Sequence, residues 1–243
     1  MKIKIINPNT FLDMTRSIGE AADRYAKPDT QVVTVSPERG PLSIEDHYDE
    51  ALAAVGVMEE VKKGEKEGFD GYVVACFGDP GLYACREITE KPVVGIAEAA
   101  LFMACMLGHR FSILSVLSRI EALMHDLLKK YGVESRCVSV RCTDIPVCDF
   151  ERLKDTAKKV LLQVGKQAVE EDGAEVLCLG CAGMAGLDEE LEKELKVPVI
   201  DPVVAALKFV EGLVEYGKKT SKTKSFKFPE KKEIKGFPDT LKL

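Results

Sequence analysis

Short apolar runs rich in Val and Ile alternate with longer amphipathic stretches along the chain. The runs KIKII (2–6), QVVTV (31–35), GYVVAC (71–76), PVVGI (92–96), RFSILS (110–115), RCVSV (136–140), AEVLCL (174–179) and PVI (198–200) predict strands. The segments between them are long enough to be crossover helices, and parallel strands require such crossovers. Strand and helix therefore alternate in an α/β arrangement of parallel sheets with helices on both faces. Two helix starts are legible as capping boxes, Ser43-Ile44-Glu45-Asp46 and Ser118-Arg119-Ile120-Glu121, and Gly132 is placed to close the second helix.

The pattern also repeats. GYVVACFGDPGL (71–82) aligns without a gap on VLCLGCAGMAGL (176–187) at an offset of 105, so Cys76, Gly78, Gly81 and Leu82 coincide with Cys181, Gly183, Gly186 and Leu187. KPVVGIAEAAL (91–101) matches VPVIDPVVAAL (197–207) at an offset of 106. A period this long describes two half-domains, not a solenoid. The expectation is a pseudo-two-fold pair, 1–105 and 106–210, each a four-stranded parallel sheet, with a site in the cleft between them. Residues 211–243 would be a helix end and a Lys-rich extension folding back on the first half.

Composition narrows the function. With 243 residues, 46% hydrophobic and 30% charged, the chain can bury a core without disulfide staples. A net charge of −6 and no Trp argue against a nucleic-acid partner. The charge is uneven: the segment from 217 onward carries +6 and residues 1–216 carry −12. The start MKIKIINPNT lacks the apolar run and cleavage site of a signal peptide, and the most apolar stretch, 97–107, is only 11 residues long. A cytoplasmic protein with no membrane partner is expected, with its eight cysteines reduced.

Two of those cysteines carry the chemistry. Cys76 and Cys181 each end a strand and enter a C-x-G-x-x-G-L turn, and ligands of open α/β sheets bind at such strand ends. Glycines let the backbone approach a ligand, leaving the N–H groups around Phe77-Gly78 and Ala182-Gly183 to meet an oxygen. Proximity to a helix N-terminus would favour the thiolate. If the two halves face each other, the two sulfurs flank one guest. A carbanion held between them loses a proton to one and regains it from the other, which inverts a stereocentre with no metal or cofactor. Cys178 forms a C-x-x-C with Cys181 but lies within an apolar strand, and His47, His109 and His125 show no metal-ligand spacing. Asn7 and Asn9 after the first strand, Ser43 after the second and Ser115 ending the fifth are polar candidates at the same sheet edge, although each residue type also caps helices and turns. Asp79, three residues after Cys76, would oppose a dicarboxylate and favour a neutral ring.

At INPNT (6–10), GPLSIED (40–46), ACFGDPGL (75–82), PVVGIAEAA (92–100), FSIL (111–114) and LGCAGMAGL (179–187) the chain resembles the aspartate/glutamate racemase superfamily, in its hydantoin racemase branch. The resemblance implies a cofactor-independent racemase with Cys76 and Cys181 as paired acid/base groups, acting on 5-monosubstituted hydantoins or allantoin. It also implies substrate contacts at Asn9, Ser43, Ser115 and the turns containing Phe77, Gly78, Ala182 and Gly183, and a homo-oligomer. Ser115-Val116 departs from the consecutive threonines common in relatives. An amino-acid racemase, a cysteine-dependent cis–trans isomerase and a small-molecule binding module are the alternatives.

Overall fold

The computed structural model describes residues 1–237 and 241. The end of the expected extension, at 238–240 and 242–243, lies outside the described residues. Two four-stranded sheets, all parallel, form the frame. The first contains β1 (Lys2–Ile6), β2 (Gln31–Val35), β3 (Gly71–Val74) and β4 (Val93–Gly95), in the order β2-β1-β3-β4. The second contains β5 (Phe111–Ser115), β6 (Cys137–Cys142), β7 (Val176–Leu179) and β8 (Val199–Ile200), in the matching order β6-β5-β7-β8. The repeat in the sequence is thus a repeat of topology. In both sheets the order reverses between the first and third strands, the position where open α/β sheets leave a crevice at their carboxyl ends.

The helices are α1 (Leu12–Tyr25), α2 (His47–Glu67), α3 (Leu82–Ile88), α4 (Ile96–Leu107), α5 (Glu121–Tyr131), α6 (Val147–Arg152), α7 (Lys154–Glu170), α8 (Asp188–Leu195) and α9 (Pro202–Glu215). The two that follow the last strand of each sheet are exchanged. Helix α4 packs on β7 and β8 of the second sheet, while α9 packs on β3 and β4 of the first, and the two helices pack on each other. One core therefore runs through both halves, joining Ile3, Ile5 and Val73 to Phe111, Ile113 and Leu177. A smaller core under α2 and α3 takes the alternate strand residues Ile6, Tyr72 and Val74. Relative motion of the two halves would have to break the larger core.

Helix α2 lies unusually close to the first sheet, and three glycines allow it. A methyl group at Gly56 would overlap Pro37, one at Gly64 would overlap the Tyr72 ring, and one at Gly81, in the left-handed region at φ 72°, would press on Ala54. Buried Lys4, projecting from β1, ties the helix down through Glu60 at 2.9 Å. The N-cap differs from the sequence expectation. Asp46 accepts from the Asp49 N–H at 2.9 Å and starts α2, so Ser43 stands outside the helix. At the second expected box, Ser118 opens a short 3-10 turn and gives its N–H to Asp144 at 2.8 Å. At the first box a later acid takes over the cap, and at the second Asp144 takes the Ser118 N–H that Glu121 would accept in a capping box. Gly132 does end α5, at φ 70°.

After α9 the chain runs back over the first half. Thr220 donates to the carbonyls of Glu90 and Lys91, Lys222 reaches the carbonyls of Arg86 and Glu87 at the end of α3, and Phe226 meets Tyr83 edge-on. Carbonyls at a helix C-terminus are natural acceptors for a lysine.

Candidate active site

Cys76 and Cys181 line the same cavity, a tight space of about 40 Å³. Asn7, Asn9 and Met14 follow β1, and Val116 follows β5. Ile44, Asp46 and Glu50 enter from the start of α2, Ile120, Leu123 and Met124 from the start of α5, and Val147 from α6. The crevice at the two strand reversals is closed by these helix ends.

The candidate residues are sorted by this geometry. Asn9, Phe77, Gly78 and Ala182 stand with the two cysteines in the wall. Ser43, Ser115 and Gly183 do not. Ser43 sits beside Cys148, and the Ser115 hydroxyl is buried without a hydrogen-bond partner among the described residues. Gly183 faces a second hollow lined by Glu20, Asp23 and Arg24, but its N–H points back at the Cys181 sulfur, 3.4 Å away. Asn9 accepts from the Phe11 N–H at 3.0 Å and from Asn7 at 2.7 Å, shaping the turn after β1. The buried Asn7 Oδ1 has no hydrogen-bond donor among the described residues. Cys178 lies on β7 with its sulfur toward the Ala100 carbonyl, and among the described residues no three His, Cys, Asp or Glu converge as a metal site.

The thiols differ from the sequence expectation. Burial pushes the Cys181 thiol up to about 11 and Cys76 well above its ordinary value. The backbone N–H of Gly183 and that of Gly78 oppose the shift at their respective sulfurs without overcoming it. The helix N-termini invoked from sequence are too far along the chain: α3 starts at Leu82 and α8 at Asp188. Desolvation therefore outweighs the local dipoles. Gly78 and Gly183 are turned to sulfur, and the Phe77 and Ala182 N–H groups have no backbone acceptor among the described residues.

Asp79 also departs from expectation. It is buried away from the cavity and accepts from the Ala97 and Glu98 N–H groups at the start of α4 and from the Tyr131 hydroxyl at 2.6 Å. Burial raises it to about 6 against those three bonds. The negative groups at the cavity are instead Asp46, paired with Arg119 at 3.1 Å, and Glu50. Sequence reasoning missed both. The available signal was their i, i+4 spacing on one helix face directly after the GPLSIED segment. Of the three arginines placed to counter a substrate carboxylate, Arg39 and Arg86 pair with Glu59 and Glu98 and Arg119 pairs with cavity-lining Asp46, and among the described residues no Lys, Arg or His lines the cavity.

Comparison with known proteins agrees with this geometry. The family described as Asp/Glu/Hydantoin racemase matches residues 3–210. A hydantoin racemase of Pseudomonas sp. (strain NS671) is 57% identical over 236 residues, covering 97% of this chain and 95% of its own. Allantoin racemase from Klebsiella pneumoniae superimposes with a TM-score of 0.97 at 46% identity, covering 100% of this chain and 99% of its own, and allantoin racemase from Pseudomonas fluorescens with 0.94 at 38%, covering 97% and 100%. No helix among the described residues is long and apolar enough to cross a membrane. With two sheets of one topology and a shared cavity at their paired turns, the chain belongs to the Asp/Glu/hydantoin racemase family and is an isomerase of the racemase class.

Proposed function

We propose that this racemase inverts the stereocentre of 5-monosubstituted hydantoins or allantoin by proton transfer between Cys76 and Cys181. One observation carries the reading: the two thiols enter one cavity from pseudo-equivalent turns. The thiolate of one cysteine removes the proton from the ring carbon, and the electron pair moves into the adjacent carbonyl to give an enolate. The opposite thiol returns a proton to the other face, re-forming the carbonyl and leaving the second sulfur ionised. Burial raises both sulfurs, so either thiolate, once formed, is a strong base toward the ring C–H. The Phe77 and Ala182 N–H groups stabilise the enolate oxygen, each by about 3–4 kcal/mol when well aimed. Asn9 and Gly78 shape the wall, and Gly183 acts through the Cys181 sulfur.

The substrate class follows from charge. With Glu50 unpaired in its wall, Asp46 already matched by Arg119 and no cationic side chain lining the cavity among the described residues, an aspartate or glutamate side chain finds no counter-charge and a neutral ring fits better. No metal or cofactor is assigned a role. We carry forward a cytoplasmic homo-oligomer, with residues 1–105 and 106–210 as its two half-domains.

The test is racemisation of one hydantoin enantiomer in deuterium oxide, against an enzyme-free control. The expected product carries deuterium at the stereocentre at the rate at which optical rotation is lost. Rotation lost without isotope uptake overturns the proton-transfer reading.

A further inference from the structure

We infer that Glu50 sets substrate specificity: its carboxyl, lying over Gly78 beside Cys76, accepts a hydrogen bond from the N–H bonded to the stereogenic carbon, the ring N1–H of a hydantoin. The inference rests on the hydantoin reading and names the group that recognises the ring.

Position comes first. Asp46 and Glu50 lie one turn apart on the face of α2 that meets the cavity. Asp46 is occupied, capping the helix through Asp49 and pairing with Arg119. Glu50 is not: among the described residues its carboxyl has no ion pair and no hydrogen bond. The helix that carries it is pinned by the Lys4–Glu60 pair and by the close fit of Gly64 on Tyr72. At Gly78 any side chain would overlap Glu50 Oε1, so the glycine and the glutamate fit each other. The repeat mate Gly183 faces only the Cys181 sulfur and the Met14 methyl, both 3.6 Å from where a Cβ would stand. On the Cys181 side the carboxyl is that of Glu45, and it is occupied, accepting from the Val147 N–H at 3.0 Å.

Charge and solvation say what it wants. The groups around it are Cys76 and Asp79 from the turn, Asp46 from its own helix and Lys130 from α5. Burial and Asp79 raise Glu50 to about 7, with Lys130 opposing. The wall beyond is apolar, formed by Val116, Ile120, Leu123 and Met124. A half-buried carboxyl with acceptors free and no donor is costly until a ligand supplies one. Because it adjoins Cys76, whose sulfur must reach the reacting carbon, the donor it meets is on an atom bonded to that carbon. In a hydantoin whose 5-substituent is attached through carbon that donor is N1–H, whereas allantoin adds the ureido N–H on the same carbon.

Replacing N1–H by oxygen, as in a 5-substituted oxazolidine-2,4-dione, removes the donor without adding bulk and places an acceptor against the carboxyl. A site that hydrogen-bonds a substrate N–H discriminates strongly against such an analogue. For the wild-type enzyme the KM of the oxygen ring should exceed that of the matched hydantoin by about 10–100-fold, the yield of a charge-assisted bond. In Glu50→Gln, whose amide offers a carbonyl to N–H or an NH2 to oxygen, the ratio should fall to within about threefold. Glu50→Ala should collapse the ratio too, by raising the hydantoin KM. An equal KM for both rings in the wild type, or an unchanged ratio in both variants, overturns the inference while leaving hydantoin turnover intact. A wild type that racemises neither ring but racemises aspartate or glutamate overturns the hydantoin reading, and this inference with it.

Discussion

The turns at Cys76 and Cys181 share a glycine spacing but are tied down by carboxylates in different places, and Asp79 is left-handed where its mate Met184 is not. In the first half Asp79, at φ 48° within the turn itself, reaches across to the Ala97 and Glu98 N–H groups that open α4. In the second half the turn position aligned with Asp79 is Met184, and the carboxylate stands at the helix instead: Asp201 caps α9 through Val203 and Val204 and reaches back to the Gly186 N–H at 2.7 Å. The residue aligned with Asp201 is Gly95, where a side chain would overlap Asp79. Each half thus ties its cysteine turn to the helix beyond its fourth strand with one buried aspartate, donated from opposite partners. A repeat preserves the connection, not the residue that makes it. The freedom is real for the clamp and absent for the two sulfurs, which have no alternative donors of the same reach.

The largest effect should fall on the sulfurs. Cys76→Ser and Cys181→Ser should each lower racemisation by about 10³-fold or more, since a hydroxyl is a far poorer acid and base than a thiol. Polarimetry with one pure enantiomer measures this directly. A variant within tenfold of wild type would show that its turn is not an equal partner in proton transfer.

The clamps should be exchangeable where the sulfurs are not. Asp79→Met leaves two helix N–H groups and the Tyr131 hydroxyl without their acceptor and should cost about 2–4 kcal/mol in denaturant unfolding. Adding Gly95→Asp, which copies the second half into the first, should return more than half of that loss. The extended backbone at Gly95, φ −86°, accepts a side chain once Asp79 has gone. Strict additivity of the two substitutions would refute the idea of interchangeable clamps.

How much of this was legible beforehand follows the range of the interaction. Strands such as 2–6 and 31–35 appear at their predicted limits because their β-branched residues favour extended backbone. The cysteine turns were legible because glycine spacing repeats. The exchange of α4 and α9 was not, since the amphipathic pattern of a helix says that a face is buried and not which sheet buries it. Asp79 read as a charge at the site because sequence shows proximity to Cys76 but not the φ of 48° that turns it away. Glu50 carries no signal of its own, because acids are common in the first turn of a helix for dipole reasons alone. Its role depends on Gly78 across the fold.

Glu50 also separates the two sides by pH. Its ordinary value is 4.5 and burial lifts it to about 7, so the folded protein holds this proton more tightly than the unfolded chain. Such a group costs nothing below about pH 4. As pH rises from 4.5 to 7 the unfolded chain ionises first, and stability is lost until the folded group ionises too. Glu50→Gln should therefore match wild-type stability at pH 4 and exceed it at pH 8 by about 1–2 kcal/mol, a figure discounted for the water reaching a half-buried carboxyl. Chemical unfolding at the two pH values measures the gap. An equal gap at both would mean that the carboxyl is not strained by ionisation.

The smallest contrast is between the two central glycines. Gly78→Ala places a methyl on Glu50 and should force the carboxyl off the turn, lowering hydantoin turnover by about tenfold and destabilising by about 1 kcal/mol. Gly183→Ala places its methyl at ordinary contact distance, 3.6 Å, from the Cys181 sulfur and Met14. The backbone there is not left-handed, so the substitution should leave activity nearly unchanged and stabilise by about 0.5 kcal/mol through a less flexible unfolded chain. Thermal unfolding and initial rates for the pair check both signs. Equal tolerance at the two sites would mean that Glu50 yields freely, and the asymmetry between the turns would then be confined to their clamps.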